Sequence, residues 1–142
     1  MASSYYKGMF PLEDIRLPSI VVRKSDVLDN AVQSLMLDHD IMCKQVVWRE
    51  RQYLENTVVV IERKDALELS VGIIKCMLVR NDILLFVVKR CKMVQTYLKV
   101  FKSRYIEENV TLIDARSLPD TYPLMMRGLE QNFFIIPHHH VS

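Results

Sequence analysis

Apolar residues recur along this chain with two periods, and the change falls near residue 45. Before it, Val27, Leu28, Ala31, Val32, Leu35 and Met36 return at one-, three- and four-residue steps, which on a helix draws one stripe. Ser25 or Asp26 stands where a side-chain oxygen would accept an orphan backbone N–H, so a helix is predicted over 26–37, with Asp29, Asn30 and Gln33 on its outer face. A single helix of this length rarely holds alone, so its stripe is expected to dock on the remainder of the chain. From Gln45 the period becomes two: Val46, Trp48 and Glu50 alternate with Val47, Arg49 and Arg51.

Strand signals then follow in close succession. The β-branched run at 57–61 leads through a polar loop at 63–65 to a long apolar segment, 70–79, in which Gly72 reads as a bulge or bend. Asn81 and Asp82 separate it from the apolar run 83–88, which makes 70–93 a β-hairpin. A fourth strand is predicted at 96–104 and a fifth at 110–113; 119–129, with two prolines and a glycine, reads as a loop with a helical turn, and 133–136 as a closing strand. Pro11 and Pro18 mark residues 1–24 as a partly ordered arm, with 20–22 a short strand or anchor. The expected fold is mainly β: a small barrel of five to six strands over 45–140 with one amino-terminal amphipathic helix, all within a single globular domain at 25–142. Closure would remove the exposed strand edges that such apolar segments make hazardous.

The order of these segments carries a resemblance. Trp48 and Tyr53 bracketing a charged stretch, then 57–61, 71–74 and 83–88, a Pro119- and Pro123-bearing turn at 118–124 and a short final strand resemble the SH3-like barrel group, which includes Tudor- and BAH-type chromatin modules. The same order resembles carboxy-terminal β domains of animal proteins that carry zinc fingers or mobile-element segments. The resemblance spans about two-thirds of the chain and implies a chromatin-associated interaction module. Methyl-lysine-reading relatives use an aromatic cage, for which Trp48, Tyr53, Phe86 and Tyr97 are the available rings.

Length and composition agree with one ordinary globular domain: 142 residues, half of them apolar and a quarter charged. Cys43, Cys76 and Cys91 are odd in number and widely spaced, which fits buried thiols in a reducing compartment better than a disulfide framework or zinc ribbon. The longest apolar stretch, 83–88, is far too short to span a bilayer, and the first residues lack the apolar core of a secretory leader. An intracellular, nuclear location without membrane attachment is the expectation.

Charge changes the picture most. The net charge is only +2, but residues 75–104 hold eight basic side chains against one acid, Asp82. Lys75, Arg80, Lys89, Arg90, Lys92, Lys99, Lys102 and Arg104, interleaved with Tyr97 and Phe101, form the candidate site. Cations pair with phosphates and exposed rings stack on bases, so the expected partner is nucleic acid or an acidic protein surface. The plain alternative is a solvated face whose charges protect a sheet edge. A different class of function is a protein–protein adaptor or homo-oligomer, acting by strand addition or helix docking, or through the arm with Tyr5, Tyr6 and Phe10.

Catalytic and cofactor readings are thin. His138, His139 and His140 are consecutive, so an extended chain points them to opposite sides, and no metal or cofactor is expected. His39, between Asp38 and Asp40, is placed to meet the last carbonyls of the helix. Cys43 lies four residues beyond His39, yet no nucleophile elbow, phosphate-cradling loop or dinucleotide fingerprint accompanies it. Met125 and Met126 read as core filling. No catalytic residue is assigned, and a non-enzymatic role is expected.

Overall fold

Apolar side chains fill both parities of the segments 71–79 and 84–88, because both faces of the hairpin they form are covered. In the computed structural model, which describes residues 15–97, 100–129 and 132–135, β7 (Glu68–Arg80) and β8 (Ile83–Tyr97) pair antiparallel from Glu68↔Val94 to Arg80↔Ile83. The loop is the two residues Asn81 and Asp82, at φ 50° and 65°. Positive φ at both positions is the type I′ geometry that follows the twist of the flanking strands, and Asn and Asp tolerate it. The expected hairpin is therefore present, with Asn-Asp in place of Asn-Gly.

The neighbours of this hairpin divide its length. β3 (Ile41–Cys43) runs along 77–79 of β7, and β6 (Thr57–Arg63) along 69–73 of the same edge. β9 (Val100–Asp114) lies beside β8. The sheet continues with β10 (Asp120–Met125) on β6, β12 (Asn132–Ile135) on β9, β11 (Arg127–Leu129) on β12 and β2 (Val22–Arg23) on β3. A second sheet, β1 (Ile15–Arg16), β4 (Gln45–Trp48) and β5 (Arg51–Leu54), covers the front of the hairpin. Trp48, Tyr53, Ile74, Met77, Leu84 and Phe86 meet in that layer. On the back, α1 (Asn30–Leu35) and the residues flanking it bury Val27, Val32 and Met36 against Cys76, Leu78, Leu85 and Val87. Towards the other end, Val71, Ile73, Cys91 and Met93 are covered by Leu124, Phe133 and Ile135.

A single bulge makes this partition work. The β7–β8 register shifts between Ile74 and Cys76, leaving Lys75 as the extra residue. Strict alternation would put Ile74 and Cys76 on one face; the bulge instead sends Ile74 to the front and Cys76 beneath the helix. Gly72, where sequence placed the bulge, sits in regular register opposite Val59 and Arg90. Its glycine serves close packing: an added Cβ would lie 3.0 Å from Val88 Cβ and 3.1 Å from Ile61 Cδ1.

The mainly β class stands, but several elements differ from expectation. Among the described residues the strand path runs openly from β10 to β11, with no pairing that closes it into a barrel, and the strands exceed five to six. Strands of thirteen to fifteen residues are covered in sections by separate layers, so the sheet does not need to curl on itself. Residues 96–104 straddle the β8–β9 connection, where Tyr97 pairs with Val100, and 110–113 belong to the same long β9. Most of 119–129 is extended, as β10 and β11, because its outer strand completes the edge of β6. The arm is integrated from Ile15 onward, Ile15 itself being buried. The helix shrinks to six residues behind a 3-10 turn at Lys24–Asp26; Asp29, not Ser25 or Asp26, caps it, accepting from the Ala31 and Val32 N–H at 2.9 and 3.3 Å. Val27 is extended, so Leu28 falls outside the helical stripe and is 95% exposed.

Candidate nucleic-acid interface

The eight cations of 75–104 do not share one surface. Arg80 is committed to a buried carboxylate, Asp40, at 2.7 Å. Lys75 and Lys89 line a hollow on the back face, beside the segment that leads into α1. Arg90 and Lys92 line a different hollow, of about 350 Å³, on the front, beyond the reach of the three-stranded sheet. Neighbouring residues on a strand point to opposite faces, so Lys89 and Arg90 had to separate. Arg104 is the extra residue where the β8–β9 register slips between Lys92↔Tyr105 and Met93↔Ser103. Lys99 and the Tyr97 side chain lie outside the described residues.

What remains together is a patch on the front of β7–β9. Lys92 stands directly opposite Tyr105, and Val94, two residues along the same face, stands opposite Lys102. The slip at Arg104 is what brings Tyr105 and Lys102, of unequal parity, to one side. Tyr105 is 61% exposed. Among the described residues, Arg90, Lys92 and Lys102 make no ion pair within 4.0 Å. Lys64 and Ser70 complete the hollow, and Glu62 and Glu107 interleave with the cations, so the patch has a mixed field with a cationic centre.

The aromatic expectations need correction. Phe101 is buried among Leu124, Phe133 and Ile135, so its ring is unavailable for stacking. Among the described residues the exposed ring beside these cations is Tyr105, which sequence reading passed over because the predicted strand stopped at 104. Trp48, Tyr53 and Phe86 do come together, with centroids 5.2–6.4 Å apart, but as packed core rings that leave no open cage for a methylated ammonium. The Tyr53 hydroxyl donates to the Thr121 carbonyl, which joins the two sheets; burial raises its pKa.

The remaining chemistry is equally internal. Burial pushes the Cys43 and Cys91 thiols up to about 11 and Cys76 to about 12, far from nucleophilic use. His39 is exposed, and at the helix end the Leu35 carbonyl accepts from Arg80 at 3.1 Å. Among the described residues no three His, Cys, Asp or Glu side chains gather in a metal-holding cluster; His138, His139 and His140 lie outside them. Among the described residues no helix is long and apolar enough to cross a membrane. Comparison with known protein families, with curated proteins and with solved structures returned no match.

Proposed function

We propose that this chain is a non-enzymatic interaction module that binds single-stranded nucleic acid through the front of β7–β9. The observation that carries the reading is the exposed Tyr105 ring directly across from Lys92, on a face shared with Arg90 and Lys102. A ring offers a stacking platform to an unpaired base, and the flanking cations answer the backbone phosphates. Glu62 and Glu107 limit the affinity and favour a partner whose charge lies in a narrow track. Nuclear residence and a chromatin-associated partner belong to the same proposal.

Fluorescence anisotropy with labelled oligonucleotides tests it. Affinity falls as salt rises, Tyr105→Ala weakens binding by about tenfold, and the Arg90→Glu/Lys92→Glu pair abolishes it. An absence of binding at low salt, or unchanged binding by these variants, overturns the proposal.

The adaptor reading has one observation in its favour: Ile20 and Leu28 are 76% and 95% exposed. Exposed apolar residues are common on protein surfaces, however, so this observation does not carry the reading by itself. A concentration-dependent mass in light scattering, insensitive to salt, is the result that favours it.

A further inference from the structure

The front patch has a period as well as a sign. β8 keeps unbroken register with β7 from Val94 to Val88, so Arg90, Lys92 and Val94 project from the front at steps of about 6–7 Å. Lys102 stands beside Val94 on β9 and supplies the cation of the third step. Consecutive phosphates of an extended single strand are separated by a similar distance. Tyr105, across from Lys92, places its exposed ring beside the middle step.

Carboxylates lie on both flanks of this line. Glu62 stands opposite Ser70, which stands opposite Lys92, so the Glu62 and Lys92 backbones are two strand spacings, about 10 Å, apart. Glu68 is opposite Val94 on the same flank, and Lys64 is the cation of that side. On the other flank, Glu107 lies in the stretch of β9 that bulges beside Arg90, between the pairs Lys89↔Val110 and Cys91↔Ile106.

Such a lane treats one strand and two differently. A single backbone can keep its phosphates over the three cations. A duplex on the same line carries its second backbone across a groove about 6–12 Å wide, and those phosphates meet Glu62 and Glu68 on one side or Glu107 on the other. Repulsion of the wrong partner sets specificity as much as attraction to the right one.

We propose, on the basis of the nucleic-acid reading above, that three consecutive phosphates of one strand lie along Arg90, Lys92 and Lys102 with a base on Tyr105, and that Glu62 and Glu107 are the residues that select single strand over duplex. The carboxylates are thus specificity determinants, and the length of the track sets the length of the ligand.

Fluorescence anisotropy of the intact chain with labelled oligothymidylates of graded length, and with a mixed-sequence duplex, tests it. Affinity per binding register stops rising at about four nucleotides, which carry three linking phosphates. The slope of log affinity against log salt is about −2, and Lys92→Ala makes it shallower by about 0.7. The Glu62→Gln/Glu107→Gln pair strengthens duplex binding at least tenfold more than single-strand binding. Asp26→Asn/Glu55→Gln, the same change in net charge made at the back-face hollow, leaves the preference where it was. Near-UV circular dichroism checks folding; should the paired front variant fail, Glu62→Gln alone must move the preference in the same direction. Oligonucleotide binding that shows no preference for single strand, that keeps strengthening per register well beyond four nucleotides, or whose preference is unmoved by the front variants overturns this inference and leaves the broader reading standing. Absence of binding to every oligonucleotide overturns both.

Discussion

Arg80 and Asp40 form a two-armed bridge, with Nε donating to Oδ1 at 2.9 Å and Nη2 to Oδ2 at 2.7 Å. The same guanidinium donates to the Leu35 carbonyl at 3.1 Å, and Oδ2 also accepts from the Leu37 N–H at 2.8 Å. One ion pair thus ties the end of α1, the following turn and the tip of the β7–β8 hairpin. Asp40 is 1% exposed, so the bridge is a local structural pin as well as a charge pair.

Removing one partner strands the other. Arg80→Ala leaves a buried carboxylate without its cation and is expected to cost about 3–5 kcal/mol. Replacing both residues by leucine costs distinctly less, because no charge is then left buried. Urea unfolding measures both; a single-variant loss below about 1 kcal/mol shows that water compensates Asp40.

Acid stability follows from the same carboxylate. Burial pushes the Asp40 carboxyl up, but hydrogen bonds from Arg80 and the Leu37 N–H, with the charges of Arg80 and Lys24, outweigh it and leave the group below its ordinary value. Asp114 moves the same way, chiefly through its hydrogen bond from Arg116. A depressed folded value means the stabilisation is complete above the unfolded carboxylate range, near pH 3.9, and is lost as pH falls through the folded value. Unfolding midpoints between pH 6 and pH 2.5 test this, and an Asp40→Asn chain shows a shallower decline.

Backbone strain at the β4–β5 turn offers a stabilising change. Trp48 pairs with Arg51, and the loop residues Arg49 and Glu50 have φ 53° and 65°. Arg49 recovers part of the cost by lying 4.3 Å over the Trp48 ring. Glu50 has no such contact to the ring, so Glu50→Gly, which relieves the left-handed conformation, is expected to raise stability by about 0.5–1 kcal/mol. A lower unfolding midpoint contradicts it.

Gly72→Ala tests the close packing on the front face. The methyl enters contacts of 3.0 Å with Val88 and 3.1 Å with Ile61, so overpacking of about 1–3 kcal/mol is expected. Ile61→Ala in the same chain recovers part of the loss if packing is the cause, and none of it if backbone freedom is.

Thiol chemistry reports the three-layer core. With Cys43, Cys76 and Cys91 buried and shifted up to about 11 or 12, iodoacetamide at pH 8 labels the native chain about a hundredfold more slowly than the urea-unfolded one. Mass spectrometry counts the adducts. Rapid native labelling of any one cysteine places it outside the core.

Local pattern alone determined the mainly β class, the hairpin at Asn81 and Asp82, and the apolar strands of β6 to β8, because alternation and turn chemistry act between residues close in the chain. It also located the cationic segment, but not its division. Tertiary structure decided that division: strand parity sent Lys89 backward and Arg90 forward, the bulge turned Lys75 toward the hollow, and Asp40 claimed Arg80 across the fold. Register slips in β9 brought Tyr105 beside Lys92 and let Phe101 sink into the core. Bulges and slips arise where long strands fit their neighbours' side chains, and that fit depends on residues distant in sequence. The open sheet has the same origin, since separate layers cover both faces of the long hairpin and its strands have no need to close.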